Sequence, residues 1–282
     1  MRDRPSLTAY RVALGRAAHQ ILDRPAVLED PLALSIVGEP GVREIRAAAW
    51  RFNMPLARHL RAFLVARSCL AEQALADALR RGVQQFVVLG AGLDTFAYRN
   101  PHSARQLKVF EVDHPATQAW KRRRLAAAGI PLPESLTFVP VDFESETLPE
   151  RLAGAGFRAG EAAFFSWLGV TMYLTHGAIR ATLGYVAALP AASGVVFDYA
   201  VPPATLSLMR RLAVRAVMRH VAAAGEPWRS FFEPHELAGQ LRALGFTALE
   251  DLGPAELNAR FFGDRSDALR VGGLGRVMCA RR

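Results

Sequence analysis

From Gln85 to Tyr199 short β-branched and aromatic runs alternate with segments of helical spacing, which confines the chain to few folds. Gln85 to Leu89 is the first run, Leu107 to Val112 the second and Leu136 to Val139 the third; Ala162 to Trp167 and Gly194 to Tyr199 follow. Ala116 to Ala128 and Ile179 to Leu189 carry helical patterns between them. Strands alternating with helices build βαβ units, giving a mainly parallel sheet with helices on both faces. Two later runs, Phe246 to Glu250 and Arg276 to Ala280, predict a final pair whose hairpin pairing puts an antiparallel strand into the sheet. The first 80 residues read as helices instead: Thr8 to Leu22, a short one begun at Asp30-Pro31 with Pro at its first position, and Leu56 to Arg80 stopped by Gly82. No repeat and no linker divides the 282 residues, which predicts one α/β domain.

Charge admits other classes. Thirty-five basic against 26 acidic residues give +9, a balance compatible with nucleic acid, an anionic membrane or an acidic substrate. Only Lys108 and Lys121 are lysines, however, and arginine beside abundant alanine fits coding bias on solvated helices. Cys69 and Cys279 lie far apart with no Cys/His cluster, so neither a disulfide scaffold nor a metal site is expected. The N-terminus has charges where an export signal needs an apolar core, and the cytoplasm is the expected compartment. Between Ala162 and Phe197 the only formal charge is Arg180, but Gly169, Gly177, Gly184 and Pro190 break the stretch into strand and helix.

The strongest local signal is Val87-Val88-Leu89-Gly90-Ala91-Gly92-Leu93-Asp94-Thr95, a strand entering a glycine turn where a ligand can approach the backbone. The next strand ends at Asp113, 23 residues after Gly90, where a carboxylate can accept from two ribose hydroxyls. Asp142, one strand further on, can take the amine of adenine while Phe143 packs on the ring. A dinucleotide fingerprint needs a third glycine where this chain has Thr95, and Asp94 would repel a pyrophosphate. An NAD-dependent oxidoreductase is therefore the weaker reading. A carboxylate at Asp94 suits the sulfonium and ammonium of S-adenosylmethionine; otherwise it caps the helix that follows.

Leu89 to Arg99, Phe110 to Leu125, Phe138 to Glu144, Phe164 to Thr175, Gly225 to Pro234 and the tail from Leu257 resemble one methyltransferase group. They are similar to the S-adenosylmethionine-dependent, leucine carboxyl methyltransferase-like enzymes, which include bacterial O-methyltransferases. The resemblance implies a class I methyltransferase (Rossmann-like) fold: a seven-stranded, mostly parallel sheet with the last strand antiparallel, a helical N-terminal extension and a helical lid. The corresponding ranges are 1–82 for the extension, 83–200 for the cofactor-binding core, 201–235 for the lid and 236–282 for the last strands. It implies that Gly90 and Gly92 line the methionine moiety, Asp113 holds the ribose and Asp142 with Phe143 the adenine, with Ala91, Asp94 and His114 also at the cofactor. Arg67 is implied for the cofactor carboxylate, which a guanidinium can meet with two hydrogen bonds. Relatives that methylate a protein C-terminus carry a glutamate where this chain has Leu168, which argues against such a substrate.

Acceptor residues are expected on segments leaving the strand ends. Trp167, on the cofactor side as well, Thr171 and Tyr173 follow the fourth strand, and Tyr199 ends the fifth. Tyr173 and Tyr199 are the candidate catalytic side chains, and Arg229 and Arg260 stand beside aromatics as holders of an acidic acceptor. His19, His114, His176 and His220 lie near element ends, where a base for a hydroxyl acceptor could sit; a carboxylate acceptor needs none, which puts carboxyl ahead of hydroxyl methylation. Arg211, Arg215 and Arg219 form a basic stripe on a helix placed to cover the site. The expected partner is a small-molecule acceptor, with no nucleic acid, no stable membrane insertion, and a homodimer left open. A non-catalytic basic nucleic-acid-binding protein is the remaining alternative.

Overall fold

The computed structural model describes residues 6–102, 107–142, 146–223, 225–273 and 275–282, with the side chains of 210, 213 and 220 outside the description. Four helices come first: α1 (Leu7–Leu22), α2 (Leu32–Ala47), α3 (Ala49–Phe52) and α4 (Pro55–Arg80). The alternating region then runs β1 (Gln85–Leu89), α5 (Phe96–Arg99), β2 (Lys108–Asp113), α6 (Pro115–Ala127), β3 (Leu136–Pro140), α7 (Leu148–Gly154), β4 (Ala163–Trp167), α8 (His176–Ala188) and β5 (Gly194–Tyr199). It ends with α9 (Leu208–Ala223), α10 (Pro234–Leu244), β6 (Ala248–Leu252), α11 (Pro254–Phe261) and β7 (Arg276–Arg281).

The seven strands lie in the order β3-β2-β1-β4-β5-β7-β6. β1 to β5 pair in parallel, and β7 inserts antiparallel to both β5 and β6. The predicted mostly parallel sheet with its last strand reversed is what forms. Central strands are buried on both faces, which is why β1, β4 and β5 read as nearly unbroken apolar runs.

Strand side chains alternate between faces, and the two cores follow that parity. Phe86, Val88, Phe164 and Val196 pack with Leu70 and Leu75 of α4. Val87, Leu89, Phe165 and Phe197 pack on the opposite face with Leu183 of α8 and Leu237 of α10. A third cluster joins Leu14 and Ala17 of α1 to Ile36 and Ile45 of α2 and Leu125 of α6. α1 and α2 thereby rest on the β2–β3 side of the sheet, with α1 reaching the strand ends, while α4 covers the central strands.

Two local expectations change. The short helix begun near Asp30-Pro31 has Pro31 at its N-cap and is followed directly by a second helical segment, the two separated by non-helical Gly38 (φ +68°) ahead of Pro40. The predicted strand at Phe246 starts two residues later, because Gly245 closes α10 in the left-handed region (φ +105°) and Phe246 turns into the core. On α9, Arg215 and Arg219 are exposed, Arg211 turns back to the carbonyls of Pro203 and Ala204, and Val214 and Val221 are buried. Among the described residues no helix is long and apolar enough to cross a membrane.

Candidate functional site

At the carboxyl ends of β1, β2 and β4 a cavity of about 580 Å³ opens, within the range of small-molecule sites. Its floor is the turn after β1. Gly90 (φ +65°) and Gly92 (φ +46°) hold backbone conformations that side-chain-bearing residues resist. A Cβ on Gly90 would stand 2.3 Å from Val170 Cγ2, and one on Gly92 would stand 3.1 Å from Ala9 Cβ of α1. Glycine is required here for space as well as for φ.

Asp113, at the end of β2, faces this turn. Its Oδ2 accepts from the Gly92 N–H at 2.5 Å and its Oδ1 from the His114 N–H at 2.7 Å. Burial pushes the carboxyl above its ordinary value, against the two N–H groups that favour the charge. His114 caps α6, its Nδ1 accepting from the Ala116 N–H at 3.2 Å. Ala91 and His114 join Asp113 in lining the cavity.

Arg67 reaches the opposite wall from the middle of α4, only 5% exposed. Its Nη1 pairs with the Asp198 carboxylate of β5, whose other oxygen accepts from the Gly169 N–H at 2.5 Å. A Cβ on Gly169 (φ +76°) would lie 2.9 Å from Arg67 Nη2, so the turn after β4 closes directly over the guanidinium. The buried Nε of Arg67 has no hydrogen-bond partner among the described residues. One edge of the guanidinium is anchored, and a donor is left at a cavity wall.

The roof is α1, with Ser6, Thr8, Ala9 and Val12 over the glycine turn. Arg16 fastens it there, pairing with Asp94 at 2.8 Å and Asp30 at 2.5 Å and donating to Thr95 Oγ1 at 2.8 Å. Of the two readings of Asp94, the structure forms the helix cap. Its Oδ1 caps α5 at the Phe96 N–H (2.8 Å), and its charge is already matched by Arg16. Burial opposes that charge, but Arg16, Lys121 and Arg99 outweigh it and hold the carboxyl below its ordinary value. Asp94 lines the cavity as half of an ion pair, which does not suit it to attract a cationic ligand. Thr95, at the position of a dinucleotide fingerprint's third glycine, is buried and donates to Asp30 at 2.8 Å.

The acceptor-side candidates divide. Tyr173 and Arg229 line the cavity, Tyr173 half-buried and Arg229 exposed at its mouth. Four others lie elsewhere. Trp167 and Tyr199 share the parity of Phe165 and Phe197, so both rings enter the core toward α8 and α10. The Tyr199 hydroxyl meets Asp251 at 2.9 Å, and its ring stands edge-on to Phe232. The Thr171 hydroxyl donates to the Asp198 carbonyl at 2.5 Å beneath the surface. Arg260 is on the outer face of α11, paired with Glu250 at 3.1 Å and Gln73 at 2.8 Å.

Asp142 follows β3, half-buried, with its N–H donating to Glu146 at 2.9 Å; Val141 beside it donates to the Asp113 carbonyl. It is therefore one strand along from Asp113 and outside the cavity wall. Phe143 lies outside the described residues, as does the His220 side chain. His19 is fully buried, its Nδ1 on Asp23 at 2.8 Å and its Nε2 accepting from the Val27 N–H at 2.9 Å. His176 stacks on Phe232 at 4.6 Å.

Several wall residues carry no local sequence signal: Arg16 and Thr8 of α1, and Glu226. Strand parity alone would have found Ser166 and Asp198, since they alternate with the core residues Trp167 and Phe197. Leu168, where the sequence lacks an acid, lines the cavity and packs toward the α4 core.

A family model described as leucine carboxyl methyltransferase matches residues 9–187. Among curated proteins, "Putative S-adenosyl-L-methionine-dependent methyltransferase YktD" of Bacillus subtilis (strain 168) is 33% identical over 285 residues, covering 94% of this chain and 93% of that one. A Mycobacterium tuberculosis (strain ATCC 25618 / H37Rv) protein with the same descriptive name is 33% identical over 199 residues, 65% of this chain and 62% of its own. A crystal structure described as a "putative methyltransferase" from Thermobifida fusca YX aligns with a TM-score of 0.59 at 18% identity, over 99% of this chain and 95% of that one, a likeness of fold.

Proposed function

The chain belongs to the leucine carboxyl methyltransferase family and is an S-adenosylmethionine-dependent methyltransferase, and from this premise we propose that it methylates an oxygen of a small molecule bound in the cavity beneath α1. The observation that carries the proposal is that one cavity is lined by two differently equipped groups of residues. One is the glycine turn, Asp113 and, on the facing wall, a half-satisfied Arg67; the other is Tyr173, Glu226 and Arg229.

The residues present fit the cofactor. The Gly90–Gly92 turn lets a ligand lie against the backbone, and the unpartnered Arg67 Nε offers a donor to its carboxylate. Asp113 is the acceptor for the ribose hydroxyls, and Asp142, one strand on, is the candidate for the adenine amine. The bound cofactor supplies an activated methyl group on a sulfonium. What remains for the protein is orientation and exclusion of water: α1 closes the roof, and Leu168, Val170 and Leu174 give an apolar wall. With Arg16 and Arg67 both ion-paired, the cavity is not the open basic track that a polyanion would need.

Calorimetry with S-adenosylmethionine, S-adenosylhomocysteine and NAD tests the cofactor residues, with binding of the first two and none of NAD expected. A labelled-methyl assay against a soluble metabolite extract tests the acceptor. Label recovered in methyl amines or thioethers, and none in ethers or esters, would overturn transfer to oxygen.

A further inference from the structure

The loop between α9 and α10 brings one acid to the cavity. The Glu226 N–H donates to the Val221 carbonyl of α9 at 3.1 Å. Three residues on, the Arg229 N–H donates to the Met172 carbonyl at 2.6 Å, and the Ser230 hydroxyl donates to the Leu174 carbonyl at 2.5 Å. The loop is thus tied to α9 at one end and to the segment after β4 at the other. These backbone carbonyls hold Glu226 in the cavity wall.

The Glu226 carboxylate differs from the other acids in that wall and directly behind it. Asp94 is paired with Arg16, Asp198 with Arg67, and Asp113 has each oxygen on a backbone N–H. Glu226 Oε2 is buried and has no hydrogen-bond donor among the described residues. A buried carboxylate oxygen left without a donor is costly, and a ligand that brings one removes the cost. A carboxylate ligand would instead set a second negative charge beside it. Tyr173 on the same wall does not compete for the role, since burial chiefly, with the Glu226 charge adding to it, keeps its phenol protonated.

Resting on transfer to oxygen as argued above, we propose that Glu226 is the catalytic base of this site and that the acceptor is a hydroxyl compound, a phenol or an alcohol. The acceptor O–H donates to Glu226 Oε2. As the oxygen attacks the methyl carbon, the new O–C bond forms and the C–S bond breaks, its electron pair passing to sulfur. The hydroxyl proton passes to Glu226 and leaves to water when the products depart. This reverses the order read from the sequence, where a carboxylate acceptor stands first because it needs no base.

The test begins with the base stability of the labelled product formed by the full chain from the extract. An alkali-stable methyl ether is expected. A methyl ester that releases methanol in base would overturn the hydroxyl assignment while leaving transfer to oxygen intact, whereas methylated amines would remove the underlying reading. Glu226→Gln is then compared with the wild type on nitro-, chloro- and unsubstituted phenols or on the alcohol recovered. Turnover is expected to fall about 100-fold or more, the usual yield of a positioned base. Acidic nitrophenols, already ionised, should lose far less. S-adenosylmethionine affinity and the thermal midpoint should be unchanged, which separates lost base catalysis from a damaged fold. Equal losses across the series, or wild-type turnover in Glu226→Gln, would remove Glu226 from the chemistry.

Discussion

Asp198 holds Arg67 from β5, on the face of the sheet that α4 covers: one carboxylate oxygen takes the guanidinium and the other takes the Gly169 N–H at 2.5 Å. One buried side chain thus positions both the cation of α4 and the turn after β4, at two walls of the same cavity. In β5 its neighbours Phe197 and Tyr199 face the other core, so strand alternation is what delivers an acid to this side.

If Arg67 meets the cofactor carboxylate, Arg67→Met should weaken S-adenosylmethionine binding by about 10-fold or more, the worth of about 1.5–3 kcal/mol for a hydrogen bond to a charged group. It should leave 5′-methylthioadenosine, which lacks that carboxylate, bound as before. Asp198→Asn should weaken the same ligand selectively and also destabilise the protein by about 3 kcal/mol, because Arg67 is left buried without its counter-charge. Calorimetry with the two ligands and a chemical melt check both. Equal losses for the two ligands would take Arg67 away from the carboxylate.

At Gly90 the backbone and the space act together. Gly90→Ala adds left-handed strain of about 1–2 kcal/mol and a Cβ 2.3 Å from Val170 Cγ2. Gly82→Ala carries similar strain (φ +91°) with nothing within 4 Å, and serves as the control. Cofactor affinity should fall sharply for Gly90→Ala and stay unchanged for Gly82→Ala. Adding Val170→Ala should restore part of it, since only the contact is relieved. A double variant no better than the single would mean that the conformation alone decides.

Much of this site is legible in the sequence because it is local. The glycine turn and Asp113 occupy neighbouring strand ends in a parallel ladder, with Leu89 opposite Val112, so sequence order already implies proximity. The misplaced candidates share one cause: nearness to a strand end does not by itself say which face a side chain takes. Trp167 and Tyr199 are at strand ends yet face the core, while Ser166 and Asp198 one residue earlier face α4. Arg260 stands out in the sequence through its aromatic neighbour Phe261, whose ring it covers at 5.6 Å on the exposed side of α11. Contacts made at long range have no local signal. Arg16 is 78 residues from Asp94, and Arg67 is 131 from Asp198.

Asp113 should tolerate even a near-isosteric change poorly. Asp113→Asn keeps an acceptor for only one of the Gly92 and His114 N–H groups and turns its second oxygen into a donor. Adenosine affinity should fall about 10- to 100-fold, matching the loss of a charge-assisted hydrogen bond. Far-ultraviolet circular dichroism should be unaltered, since β2 is held by its ladder and not by this side chain. Wild-type adenosine affinity in the Asn variant would exclude the carboxylate from ribose recognition.

Acid stability should depend on a cluster remote from the cavity. Asp23, at the end of α1, receives Arg61 through two hydrogen bonds (2.7 and 2.8 Å) and His19 at 2.8 Å. Burial alone would raise its pKa, but the bonds from Arg61 and His19 outweigh that and hold it at about 2, below the ordinary 3.8. The folded state therefore binds this proton less readily than the unfolded chain, so the stabilisation is full above the ordinary value and disappears as pH falls toward 2. Asp23→Asn should be less stable than the wild type at about pH 5, and the gap should narrow by about 2 kcal/mol as the pH approaches 2, because each tenfold difference in proton affinity between the folded and unfolded chains is worth about 1.4 kcal/mol. Denaturant melts of both proteins across that range measure it. A gap that is constant with pH would mean that Asp23 titrates no differently in the folded and unfolded chains, and that its bond to Arg61 contributes no charge-dependent stability.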